Sequence, residues 1–276
     1  MKFAEFLIES ENGYKTKIDL DKAKKLINDL CKNIDLHKPL WRGMRDDEDA
    51  FILHGEKGNR ISITDGNYHT VIIDHNIKMN KLNYPLRSKS IICITNRGKS
   101  NTDIFGPERY AILPFDNTVI GVVPAPDILE VPITGYISLG AFNECINTVL
   151  FDRQHSDPIT FNNIGDIADA IFKVVKDPSL SHAKEKSISS KSFFKVFGEL
   201  DEDGIYDKLE SLFDLKECGF KSIVSKDINY SKSNECWIGG GCIAIHEDIY
   251  DELIKELESE RENKDNKDNK DKDLPL

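Results

Sequence analysis

Three consecutive glycines, Gly239-Gly240-Gly241, constrain this chain more than any other stretch. Cys236, Trp237 and Ile238 stand before them, and the apolar run Cys242 to Ile245 follows. Both flanks are short and apolar, and glycine tolerates the backbone angles of a tight reversal. The pattern predicts strand, glycine turn, strand. Glu235 sits at the mouth of the first strand, where a carboxylate is either solvated or held for chemistry.

Upstream, Leu20, Ala23, Ile27, Leu30 and Ile34 share one face of a helix predicted over 18–34, with Asp19 or Asp21 to cap it. Residues 1–8 carry a weaker helical pattern, so 1–36 reads as an N-terminal helical segment. Arg45 to Asn80 is polar and irregular and reads as loops and short strands around an open surface. Ile91 to Thr95 is the most strand-prone run and predicts a buried central strand. Tyr110–Pro114 and Thr118–Val123 predict two more strands, joined by a turn at Asp116-Asn117. A helical insertion spans about 160–215, with an amphipathic face at Ile164, Ile167, Ala168, Ile171, Val174 and Val175. Within it, 179–192 reads as a mobile serine- and lysine-rich link, and Phe193 to Phe197 as a core patch. Ile249, Leu253, Ile254 and Leu257 predict a last surface-packed helix. The repeated Asn-Lys-Asp of 259–276 reads as a disordered polar tail.

Composition excludes several classes of function. A formal net charge of -11 argues against a broad nucleic-acid footprint, though not against a local basic groove. No run of about 18 apolar residues is present, so no membrane span is expected. The acidic N-terminus does not read as a secretion signal. The six cysteines form no Cys-x-x-Cys pair and read as buried small hydrophobes of a reducing cytoplasm. His69 and His75 lack zinc-motif spacing, so no metal is expected. Neither a Gly-x-x-x-x-Gly-Lys loop nor a Gly-x-Gly-x-x-Gly fingerprint is present.

Three features remain, in order: Arg42-Gly43 after an apolar lead, Ser88-x-Ser90 before the buried strand, and Glu235 opening a late strand. This series resembles the arginine, serine-x-serine, glutamate class of ADP-ribosyltransferases. The Phe105-Gly106, Tyr110 and Pro114 surroundings resemble those of members encoded by tailed bacteriophages. The resemblance spans roughly Leu40 to Ile245 but rests on short motifs within it.

The resemblance implies NAD as a substrate. Cleaving its nicotinamide–ribose bond builds positive charge on the ribose, like the oxocarbenium state of glycoside hydrolysis. Glu235 would stabilise that charge, and Ser88 would orient the carboxylate. Arg42 would hold NAD's phosphate and ribose side, since guanidinium matches phosphate geometry. Gly43 and Ser90 would support that site, with Phe105 or Tyr110 stacked on nicotinamide. Alternate positions along a strand would place both serines on one side. Members that modify arginine carry a second glutamate two residues before the catalytic one. Ser233 stands there and cannot act as a carboxylate base.

The expected fold is α+β, a pair of small mostly antiparallel sheets around a cleft within 37–258, flanked by helices. The expected activity is transfer of ADP-ribose to a host macromolecule, a protein rather than a nucleic acid, in a host cytoplasm or from a phage particle. NAD hydrolysis, or an interaction protein with the same fold and no catalysis, are the alternatives.

Overall fold

A computed structural model describes residues 14–57, 67–97, 106–133, 138–140, 142, 160–177, 188–229 and 231–272, with the backbone alone at 188–190 and beyond 261. The expected helix at residues 1–8 lies outside them. The fold is α+β. Nine strands are described: β1 Lys15–Ile18, β2 Leu40–Met44, β3 Ala50–His54, β4 Ile91–Ile94, β5 Glu108–Pro114, β6 Val119–Val122, β7 Lys221–Val224, β8 Glu235–Ile238 and β9 Gly241–His246. The helices are α1 Leu20–Leu30, α2 Tyr68–Met79, α3 Ile164–Lys176, α4 Ile188–Phe197, α5 Glu202–Leu212 and α6 Glu247–Lys272.

Instead of two small sheets, the strands make one nine-stranded sheet in the order β1-β3-β9-β5-β2-β4-β8-β6-β7. Every pairing in it is antiparallel. The ladder is thin at one place. β2 and β4 share a single registered pair, Trp41 with Ile94, whereas β2 runs beside β5 for five. The seam divides a five-stranded half from a four-stranded half.

The glycine stretch is not a hairpin. β8 pairs with β4 and β6, while β9 pairs with β3 and β5. Only Gly239 and Gly240 separate the two strands, yet β9 and β8 stand third and seventh in the sheet. Four strand spacings amount to about 19 Å in a flat sheet, and a two-residue link reaches only about 10 Å. The sheet must therefore curl over. A second crossing, from β5 to β6 through Phe115–Thr118, runs alongside, tied to the first by Gly239 N–H to Val119 O and Phe115 N–H to Gly241 O. Glycine is needed here for close approach, since a Cβ at Gly239 would collide with the Pro85 ring and one at Gly241 with Phe115.

Curling gives the sheet an interior face. Leu40, Leu53, Ile91, Ile112, Ile238 and Ala244 are among the strand side chains buried together there, without any residue of a described helix. The outer face is shared between two helical groups. α1 and α6 cover the five-stranded half through Ala23, Ile27, Leu253 and Leu257. α2, α3, α4 and α5 cover the four-stranded half, where they meet Ile92 and Trp237.

Asp19 caps α1 by accepting from Lys22 N at 2.7 Å. The strand β1 precedes that helix and pairs with β3, so Lys15–Ile18, expected as part of a helical segment, belongs to the sheet. The stretch 45–80, expected as loops and short strands, contains the short strand β3 and also the nearly enveloped helix α2. Its polar residues hide the pattern because helices pack on it from more than one side. The expected mobile link is helical from Ile188, and residues 178–187 lie outside the description. Phe193 and Phe197 are buried as expected. The tail expected to be disordered continues α6 as far as Lys272. Opposite charges four residues apart recur in that sequence, a spacing that supports a helix.

Gly239→Ala should destabilise the protein by about 1–3 kcal/mol, the scale of overpacking a tight contact. Gly240→Ala, whose nearest neighbours are Thr118 atoms at 3.1 Å, should lose less. Urea unfolding of the two variants checks the order.

Candidate functional site

Residues directly opposite in a ladder share a face, which fixes where each candidate points. Arg42 pairs with Tyr110, an interior-face residue. Its guanidinium is 3% exposed and Nη1 donates to Ile92 O at 2.7 Å, across the seam where β2 and β4 part. Arg42 thus ties the two halves together. Gly43 is next to it, paired with Arg109. Tyr110 is fully buried and its hydroxyl donates to the carbonyls of Asp46 and Glu48, fastening the loop before β3. Burial, with Asp46 and Glu108 nearby, raises the Tyr110 phenol well above its ordinary value. It is a strut, with no face open for stacking. Phe105 lies outside the described residues. Gly106 passes so close over Met44 that a Cβ would strike its carbonyl group.

Glu235 pairs with Ile94, and Trp237 with Ile92, so both side chains lie on the outer face beneath the helices. Arg42 and Glu235 therefore lie on opposite faces of the sheet, with β4 between their strands. The expected convergence of Arg42, Ser88 and Glu235 on one cleft does not occur. The carboxylate has other partners. Its Oε2 accepts from Ile128 N at 3.0 Å, and its Oε1 is 2.9 Å from Nη2 of Arg87. Arg87 is wholly buried. None of its guanidinium nitrogens has a well-aligned acceptor among the described residues, so the link to Glu235 is a contact ion pair.

The serines correct a second expectation. Arg87–Lys89 is a 3-10 turn and Ser90 caps it, so Ser88 and Ser90 do not alternate along a strand. Ser90 Oγ donates to Leu86 O at 2.6 Å. Ser88 faces Asp74 of α2, which accepts from Ser88 N at 3.2 Å and from Arg87 N at 2.6 Å. Ser88 orients Asp74, not Glu235. Burial raises the Asp74 carboxyl above the usual carboxylate range, against the opposing pull of the Ser88 hydroxyl, both backbone N–H groups and Lys78.

The outer face thus holds a buried polar chain, Asp74 to the 87–88 turn and Arg87 to Glu235. It fixes α2, the approach to β4 and the start of β8 against one another. Sequence reasoning missed Asp74 and Arg87, because neither carries a periodic or motif signal. The nearby carboxylate of Asp127 caps its own 3-10 turn by accepting from Leu129 N. Burial pushes the Cys31 thiol up to about 12 and raises Cys236 and Cys242 well above the ordinary value, so none serves as a thiolate nucleophile at neutral pH. Among the described residues no cluster of metal-ligating side chains is present, and no helix is long and apolar enough to cross a membrane.

Two clefts border the 229–234 segment, and neither is lined by Arg42, Ser88 or Glu235. No protein-family model, curated protein or solved structure matches the chain.

Glu235→Gln should lower stability by about 3–5 kcal/mol, the scale for leaving one member of a buried pair uncompensated. Denaturant unfolding followed at Trp237 reads it. Asp74 yields a pH test. A carboxyl whose folded pKa lies above its unfolded one contributes stability at low pH that is lost as the pH rises through the folded value. Asp74→Asn should therefore give a flatter stability profile than the parent from the ordinary carboxylate range upward.

Proposed function

We propose that this chain is a non-catalytic interaction protein on an ADP-ribosyltransferase-like scaffold, with Arg42, Ser88 and Glu235 kept as structural groups. The scaffold reading is supported by the sheet order. The arginine strand β2, the strand after Ser-x-Ser, β4, and the glutamate strand β8 are consecutive neighbours. The seam between β2 and β4 is also where the curled sheet divides into two halves, the counterpart of the two small sheets expected.

One observation carries the non-catalytic reading: Arg42 and Glu235 lie on opposite faces. A carboxylate must face the ribose on which charge develops, and the arginine must hold the same molecule. A sheet backbone between the two prevents this. Glu235 is moreover neutralised by Arg87 and 7% exposed.

The alternative is an NAD-dependent transferase or glycohydrolase, favoured by the adjacency of the three motif strands. It requires the Glu235 carboxylate to part from Arg87 and reach a bound NAD, with Ser233 leaving arginine an unfavoured acceptor. A host protein partner, met in a host cytoplasm or delivered by a phage particle, belongs to both readings as a proposal.

Incubation of the purified chain with nicotinamide-labelled NAD, alone and with bacterial extract, separates them. No released nicotinamide above the buffer control is the expected result. Release by the folded wild-type chain would overturn the non-catalytic reading, and label from adenylate-labelled NAD on a protein would establish the transferase.

A further inference from the structure

The two clefts beside Asn229 and residues 231–234 are neighbours and together make a composite groove. The first, about 640 Å³, and the second, about 410 Å³, share Asn229 and Ser231 as a common wall. That wall is built rather than loose. Thr95 Oγ1 donates to Lys232 O at 2.8 Å, Asn96 Nδ2 to Ser231 O at 3.0 Å, and Asn234 Nδ2 to Val123 O at 2.8 Å. The ends of β4, β6 and β8 thus hold the segment in place.

The groove reverses the sign of the chain. The sequence has 48 acidic and 37 basic residues apart from histidine. Lys38, Arg97 and Lys255 line the first cleft, against one carboxylate, Asp251. Lys221 and Lys232 line the second, with no carboxylate. Lys221, Lys232 and Lys255 are exposed and carry no ion pair among the described residues. Arg97 is half exposed and contacts Glu247, and Lys38 is 3.3 Å from Asp35. Surface pairs of this kind contribute only about 0–1 kcal/mol, so an arriving anion can displace them.

Trp41 and Tyr250 back the first cleft, only 8% and 4% exposed, so the open planar surface there is the half-exposed Arg97 guanidinium. Trp41 and Tyr250 meet edge to face at 6.2 Å, and the Arg97 guanidinium lies 5.1 Å from the Trp41 ring centre. A flat guanidinium laid on an indole offers a planar shelf beside its own charge. Cations in two adjoining clefts with a planar shelf in one suit a ligand with a flat ring and more than one phosphate position.

We propose that this groove binds a nucleotide-class anion. The ring lies in the first cleft against the Arg97 guanidinium, and phosphates run past Asn229 and Ser231 toward Lys232 and Lys221. This assignment deepens the interaction-protein reading by naming what is bound. It uses none of Arg42, Ser88 or Glu235, so nicotinamide release in the NAD assay would overturn that reading and leave the groove standing.

The same chemistry is present in a free nucleotide and in a single strand of nucleic acid. The test therefore titrates the full chain with ADP and, separately, with a fluorescein-labelled ten-nucleotide thymidine strand, at low and at moderate salt. Binding of at least one probe that weakens with salt is expected. Lys232→Glu with Lys255→Glu should weaken it by about tenfold or more, the order for two lost charge-assisted contacts. Lys191→Glu with Lys195→Glu, exposed lysines on α4, changes the net charge equally and should alter affinity by less than about twofold. Tighter binding of the strand identifies nucleic acid as the source, and equal or tighter binding of ADP identifies a free nucleotide. No binding of either at millimolar concentration, or equal losses in both pairs of variants, would overturn the proposal. An unchanged thermal midpoint in each variant excludes unfolding as the cause.

Discussion

A two-residue link between strands that belong four places apart is the constraint on which this structure depends. Gly239 and Gly240 cannot span a flat sheet, so the sheet has to close over its own interior face. The second crossing, β5 to β6, follows the same path and is hydrogen-bonded to the first. Once the sheet has curled, the side chains of its central strands belong to the enclosed face or to the helix-covered one. The chemistry available to the chain follows from that division.

The two faces treat their charges differently. On the enclosed face Arg42 satisfies a carbonyl left open where β2 and β4 part. On the helical face Glu235 is held by Arg87 and the Ile128 amide, and Asp74 by the turn that carries Arg87. Burying a charge is costly without partners: Glu235 has Arg87 and an amide, Asp74 has two amides, and Arg42 has a carbonyl. Their conspicuous place in the sequence reflects the demands of burial as much as those of a reaction. The groove just beyond the end of β4 and the start of β8 is polar and cationic, and none of Arg42, Ser88 or Glu235 lines it.

The α+β class and the strands β4, β5, β6, β8 and β9 were legible because strand-prone apolar runs mark themselves locally, whereas the polar edge strands β1 and β7 carry no such run. The Asp19 cap was legible too, from one short side chain ahead of an amphipathic run. The partners of those strands were not legible. Three glycines after Ile238 look the same whether the chain turns back or crosses to the other half, since the difference lies in pairing with β3, β4, β5 and β6. α2 was hidden because a helix enclosed on several sides has no clean apolar stripe. The strands that carry or follow Arg42, Ser88-x-Ser90 and Glu235 are neighbours in the sheet, but the convergence expected of those residues fails because motif order carries no information about faces. A shift of one residue in register inverts which side a side chain occupies, and only the ladder fixes it.

The placement of Glu235 beside Arg87 and away from Arg42 is the central claim, and paired double-mutant cycles on unfolding free energy test it directly. Arg87→Met with Glu235→Leu should give a coupling of about 2 kcal/mol or more, and Arg42→Met with Glu235→Leu should lie within about 0.5 kcal/mol of zero, as for residues that share no contact. A large coupling of Glu235 to Arg42 with none to Arg87 would contradict the account and return all three motif residues to a common cleft.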